Sequence, residues 1–150
     1  MKTAAQLAGT LILALTSMLA TAGASEEASA VLEAWSAAYS ANEPEALVGK
    51  YWPDAVLLGT VSPVMSQGTE AIRTYFGRLK GSGNMNSLGE KRTIVLNDSG
   101  VVLTGFYVFT RMLDGKAVPG PSRFTMVMVK RGDEWRIAHH HSSPHVQAAP

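Results

Sequence analysis

Apolar residues recur at helical spacing early in the chain and at every second position late in it. From Glu27 to Asn42, Val31, Leu32, Trp35, Ala38 and Tyr39 fall on one helical face, which predicts an amphipathic helix. "ANEPEAL" then reads as a turn, with Pro44 suited to the first position of a short second helix through Leu47. "YWPDAVLLGTVSP" breaks at Pro53 and runs apolar from Ala55 to Leu58 as a short strand. Thr69 is the expected cap of a third helix, "TEAIRTYFGRLK", whose Ile72, Tyr75, Phe76 and Leu79 share a face. "GSGNMNSLG" is expected to be a flexible loop.

Beyond that loop the period becomes two. "KRTIVLN", "GVVLTGFYVFTRML", "KAVPGPSRFTMVMVK" and "EWRIAHHHSS" read as strands, divided by the turn signals "NDSG", "DGK" and "RGD". Helices first and a four-stranded meander afterwards predict an α+β domain, with helices packed on one face of a curved, mainly antiparallel sheet. A sheet wrapped around helices leaves a blind, cone-shaped cavity at one end, a natural pocket for a small ligand.

The first 24 residues change the picture of where the domain starts. "MKTAAQLAGTLILALTSMLATAGA" has one early lysine, a short apolar run and small residues at its end, the pattern of a secretory signal peptide cleaved after Ala24, with Ala22 also meeting the rule. The domain then occupies residues 25–150, and the expected location is the bacterial periplasm, with no membrane attachment after cleavage. The chain has no cysteine, so disulfides and thiolate chemistry are excluded. A formal net charge of +1 without a basic stripe gives no footprint for nucleic acid. The partners this leaves are a small molecule and another copy of the chain. Apolar residues on both faces of "TMVMV" and "FYVFT" point to self-association through the sheet, most simply as a dimer.

Candidate chemistry gathers in the last strand. Strict alternation puts Trp135, Ile137, His139, His141 and Ser143 on one face and Arg136, Ala138, His140 and Ser142 on the other. The large apolar pair Trp135 and Ile137 marks the first face as inward, so His139, His141 and Ser143 are expected to line a wet cavity. His139 and His141 could share a metal ion, but a third ligand at motif spacing is lacking; His145, past Pro144, is the nearest candidate. Elsewhere, Thr60 follows the apolar strand and could emerge at the cavity mouth, and Tyr75 needs a partner for its buried phenol. Arg123, if inward, would favour an anion, and is solvated if outward. Tyr107, Phe109 and Arg111 form one face of their strand and Phe106, Val108 and Thr110 the other; aromatics on both leave the choice open.

The stretches "LLGTVSP", "EAIRTYFGRL", "GVVLTGFYVFT" and "SRFTMVMVKRGDEWRIAHHHSS" resemble, in order, the association-domain family of calcium/calmodulin-dependent protein kinase II, within the nuclear-transport-factor-two-like cone folds. A kinase glycine-rich loop and catalytic-loop motif are absent from the sequence. Within that family the signal peptide, the stand-alone domain and the ending "HHHSS" resemble the bacterial iota-class carbonic anhydrases. The resemblance implies reversible hydration of carbon dioxide to bicarbonate, in a pocket that some members operate without a metal; zinc or manganese is the other option. It implies Thr60, Tyr75 and Ser143 as the hydroxyls that hold substrate and water. Because a histidine of ordinary pKa, about 6.5, carries protons near neutrality, His141 is expected as base or proton shuttle. His139 would support His141, and Arg123 would stabilise the anion. Two other roles suit the same fold: a non-catalytic small-ligand module, and an oligomerisation scaffold.

Overall fold

The computed structural model describes residues 6–146, with side chains from residue 23 onward. The segment assigned to a signal peptide lies, up to residue 22, outside the described side chains. The elements are α1 (Gln6–Ser40), α2 (Pro44–Val48), β1 (Tyr51–Leu58), β2 (Met65–Gln67), α3 (Gly68–Phe76), a 3-10 turn (Gly77–Leu79), β3 (Met85–Asn97), β4 (Gly100–Leu113), β5 (Lys116–Arg131) and β6 (Glu134–Pro144).

The expected meander is present as β3 to β6, but the sheet has six strands in the order β2-β1-β6-β5-β4-β3. Strand β1 runs parallel to β6, and β2 closes the edge antiparallel to β1. "GSGNMNSLG" is a loop only in its first half. Met85 to Gly89 belong to β3, because Asn86 is held there by α1: the Ser36 hydroxyl donates to its side-chain oxygen at 2.6 Å, and its backbone N–H donates to the Ser40 hydroxyl at 3.0 Å. Helix α3 starts earlier than expected, with Gln67 at the cap position in place of Thr69 and no side-chain capping bond.

Helix α1 lies across the concave face and buries Ala28, Leu32 and Trp35 at the spacing the sequence predicts. Asn42, at φ 58°, ends the helical segment in the left-handed region that asparagine tolerates. Its side chain donates to Asn84 O at 2.8 Å and accepts from the Gly83 N–H at 2.6 Å, tying the helix end to the start of β3. The apolar core is completed by Leu57, Ile72, Leu103, Met126, Met128 and Ile137, from both helix and sheet.

Of the register irregularities in the sheet, two bear on the site. Between Leu88 and Lys91, β3 carries one more residue than β4, and the Glu90 carbonyl comes so close to Gly105 that any side chain there would collide with it. Between Ile137 and His139, β6 carries one more residue than β5: Met128 pairs with Ile137, Val127 with His139, and Ala138 has no partner. This second bulge decides what the last strand presents to the cavity.

Candidate active site

The bulge at Ala138 inverts the expected faces of the histidine run. Trp135 and Ile137 are buried, as the alternation predicts, but the extra residue brings His140 and Ser142 inward, 2% and 5% exposed. Their neighbours agree: His140 pairs with buried Met126 and Leu57, and Ser142 with buried Phe124. His139, His141 and Ser143 therefore point to the outer face of the sheet, as does Arg123, and the inward placement expected for them is corrected. There Arg123 Nε donates to the Ser143 hydroxyl at 3.1 Å, in an outer hollow of about 590 Å³ that His141, Phe106 and His145 also line.

On the inner side a cavity of about 360 Å³ opens between the end of α1, α3, the β1 end and the strands β4 to β6. Thr60 and Tyr75 line it. Thr60 follows β1 after Gly59, and its Oγ1 lies 2.5 Å from Ser142 Oγ. Tyr107 faces inward with Phe109 and Arg111, which resolves the faces of β4. Its hydroxyl lines the same cavity, near enough to the Thr60–Ser142 pair for both to act on its pKa, so the cavity floor is made of hydroxyls.

Beneath them lies a file of buried polar groups. His140 Nε2 is 3.1 Å from the Tyr107 hydroxyl, and His140 Nδ1 is 2.9 Å from the Tyr51 hydroxyl. Trp35 Nε1 donates to Tyr51 at 2.9 Å, and the indole meets the imidazole edge to face at 5.3 Å. Burial pulls His140 down to about 3, with His139 and His141 adding to the effect, so the ring is neutral at physiological pH. Burial pushes Tyr107 and Tyr51 well above the ordinary phenol range; at Tyr107 the Ser142 and Thr60 hydroxyls act in the opposite sense. Tyr75 is raised by burial too, against the backbone of Thr60. These phenols are all protonated at neutral pH, and the floor carries donors but no formal charge.

The charges are at the mouth. Among the described residues that line the cavity there is no carboxylate, and the two charged side chains are Arg78 and Arg111. Neither forms an ion pair among the described residues. A neutral, donor-rich floor below two cations is a site for a small anion or for a substrate that becomes one. It does not suit zinc or manganese: its single imidazole has both nitrogens engaged by tyrosines, and among the described residues no three His, Asp or Glu side chains come together.

His140, Ser142, Tyr107, Tyr51 and the two arginines were not singled out by alternation and motif. Three adjacent histidines offer an imidazole to either face, so local pattern cannot choose among them. The signal that could have chosen lies across the strand: Phe124, Met126 and Met128 are the apolar face of β5, and pairing both Met128 with Ile137 and Met126 with His140 needs one extra residue in β6.

The comparisons agree with this architecture. A crystal structure described as a calcium/calmodulin-dependent protein kinase II association domain, from Xanthomonas campestris, is 31% identical, with 80% of this chain and 86% of that chain covered and a TM-score of 0.74. A ketosteroid isomerase-like protein from Erwinia carotovora shares 15% identity over 82% of this chain and 97% of that one, at a TM-score of 0.68. A protein described as a scytalone dehydratase, from Novosphingobium aromaticivorans, shares 13% over 83% and 89%, at 0.70. At these identities the last two show the fold alone. No functionally curated protein matches the chain. The model of the SnoaL-like domain matches residues 28–147, and the chain belongs to that family, a nuclear-transport-factor-two-like cone fold that isomerases and dehydratases also use.

Proposed function

We propose that the chain is a carbonic anhydrase of the iota class, hydrating carbon dioxide to bicarbonate on the hydroxyl floor of this cavity without a metal. The observation that carries the reading is the Thr60–Ser142 hydroxyl pair, 2.5 Å apart, beside Tyr107 in a cavity lined by no described carboxylate. The resemblance of "HHHSS" to that class supports it as well, with the cavity positions moved one residue back, from His141 and Ser143 to His140 and Ser142, and without a base role for the histidine.

In this reading carbon dioxide enters past the apolar walls of Phe76, Leu79 and Phe109. Its oxygens accept hydrogen bonds from Tyr107 and Tyr75, and Thr60 and Ser142 hold a water beside the carbon. The water oxygen forms the new C–O bond while one C=O π pair moves onto oxygen, where the phenols stabilise it. The water proton passes through the Thr60–Ser142 pair to solvent or buffer at the mouth. Bicarbonate and one proton result. Arg78 and Arg111 attract the anion without touching the reacting carbon.

Removing one such donor costs roughly 10²–10³-fold in rate in comparable oxyanion sites. Ser142→Ala and Thr60→Val are each expected to lower kcat/KM for carbon dioxide hydration about 10²-fold. Since the two act as a pair, the double variant should lose little more than either single one. Stopped-flow hydration assays on metal-stripped protein, with metal content measured beside them, check this. Activity that follows zinc or manganese occupancy would sink the metal-free mechanism, and an equal loss in Ser143→Ala would return the site to the outer face.

A second reading is favoured by volume. The cavity, about 360 Å³, lies in the range that holds drug-sized ligands. An organic acid could place its carboxylate between Arg78 and Arg111 and its apolar part against Phe109. Ketosteroid-type isomerisation needs an aspartate base, which the described lining lacks, so this reading is a binding module before it is an enzyme. Calorimetric binding of small carboxylic acids by a protein inactive towards carbon dioxide would select it.

A further inference from the structure

The buried file below the cavity has a direction. An indole N–H can only donate, so the Tyr51 hydroxyl accepts from Trp35. Tyr51 then has one proton to place, and the acceptor within reach is Nδ1 of His140. With Nδ1 accepting, a neutral His140 carries its proton on Nε2 and donates to the Tyr107 hydroxyl. The opposite tautomer would leave the Tyr51 proton with no acceptor in a dry core, at the full desolvation penalty of a buried donor. Tyr107, accepting from His140, keeps its own proton free for an oxygen in the cavity that it lines.

We propose that Trp35, Tyr51, His140 and Tyr107 form a one-way hydrogen-bond relay that fixes His140 as the neutral Nε2–H tautomer and presents the Tyr107 proton to an anionic oxygen in the cavity. Tyr51 is the positioning residue: it touches no ligand and sets the direction through Nδ1. His140 is then a donor and not the base or proton shuttle that a histidine at such a site suggests. Its full burial works in the same sense, because a second proton on the ring would be a charge without a counter-ion in the core. Donors linked in one direction polarise one another, so Tyr107 is a stronger donor than an isolated phenol. The relay deepens the carbonic anhydrase reading and rests on it for the identity of the oxygen, which there belongs to bicarbonate and to the transition state before it.

Long-range ¹H–¹⁵N correlation spectra of the ¹⁵N-labelled protein at pH 7 test the relay without reference to activity. The expected wild-type result is a protonated Nε2 and a bare Nδ1 at His140. Tyr51→Phe keeps the ring and deletes the donor; it should mix the His140 tautomers and lower the hydration rate roughly tenfold, the scale on which outer partners of working histidines act. A wild-type ring protonated at Nδ1, singly or doubly, overturns the proposal whether or not the variant folds. So does a folded Tyr51→Phe whose tautomer does not move, or whose rate does not move where the wild type hydrates carbon dioxide. Wild-type protein with the expected tautomer and its Tyr51 dependence, but no hydration activity, would uphold the relay and overturn the carbonic anhydrase reading alone.

Discussion

Gly59 shows how closely one residue can constrain the cavity. A Cβ built there would collide with the Tyr75 ring and hydroxyl, so the glycine is what lets that phenol lie over the end of β1. Tyr75 is backed in turn by Phe76, edge to face at 4.9 Å. Gly59→Ala is therefore expected to push the ring out of place at a cost of about 1–3 kcal/mol, the usual scale for overpacking. Urea unfolding of Gly59→Ala, Tyr75→Ala and the double variant checks it: the double variant should be more stable than the sum of the single losses implies, because truncating Tyr75 removes the collision. Additive losses would mean that the ring never pressed on residue 59. Thr60 and Tyr75 can be picked from the sequence because each follows a local signal, a strand end or a helical face. Ser142 and His140 cannot, since Ser143 and His141 beside them satisfy the same local pattern and only pairing with β5 separates them.

Strand β6 owes its chemistry to one unpaired residue. With Ala138 in place, Ile137 and His140 both face inward although three positions separate them. Deleting Ala138 would leave Ile137, His139 and His140 in regular alternation, with His140 still inward, so the expected variant folds and keeps the His140 ring signals. It should lose roughly 1–3 kcal/mol of stability, as changes that disturb packed backbone do, because the bend that lets β6 serve both β1 and β5 would go. A regular, bulge-free β6 predicts the contrary: there the deletion exchanges His141 for His140 at the cavity and changes the imidazole spectrum throughout. Regular elements are legible in this chain where a side-chain period reports burial, as in β5 and α3. The start of β3 is not, because polar Asn86 is buried there on the serines of α1, a contact between residues 50 apart. The parallel pairing of β1 with β6 is likewise a tertiary event with no local period.

At the scale of the whole molecule, the buried imidazole links folding to pH. In the unfolded chain His140 titrates at its ordinary value near 6.5, and in the fold it is pulled down to about 3. Between those values the unfolded state binds one more proton than the native state, so stability is fully present above about pH 6.5 and falls as pH drops, levelling below about 3. One such group gives a slope of about 1.4 kcal/mol per pH unit. Glu27, held down by Lys130 and Trp135, and Asp54, held down by Arg131, act with the same sign, but only as pH falls through the carboxylate range. The window from pH 6.5 to 5 therefore isolates His140 from those carboxylates. Urea unfolding across it should show wild-type stability falling at close to the single-proton slope. His140→Gln should be less stable at pH 7, since Tyr51 and Tyr107 lose a matched partner, yet nearly flat in pH. A flat wild-type profile would mean that His140 accepts a proton inside the folded protein. The same ring would then be free to act as a base, and the assignment of donor and acceptor along the whole file from Trp35 to the cavity would have to be reversed.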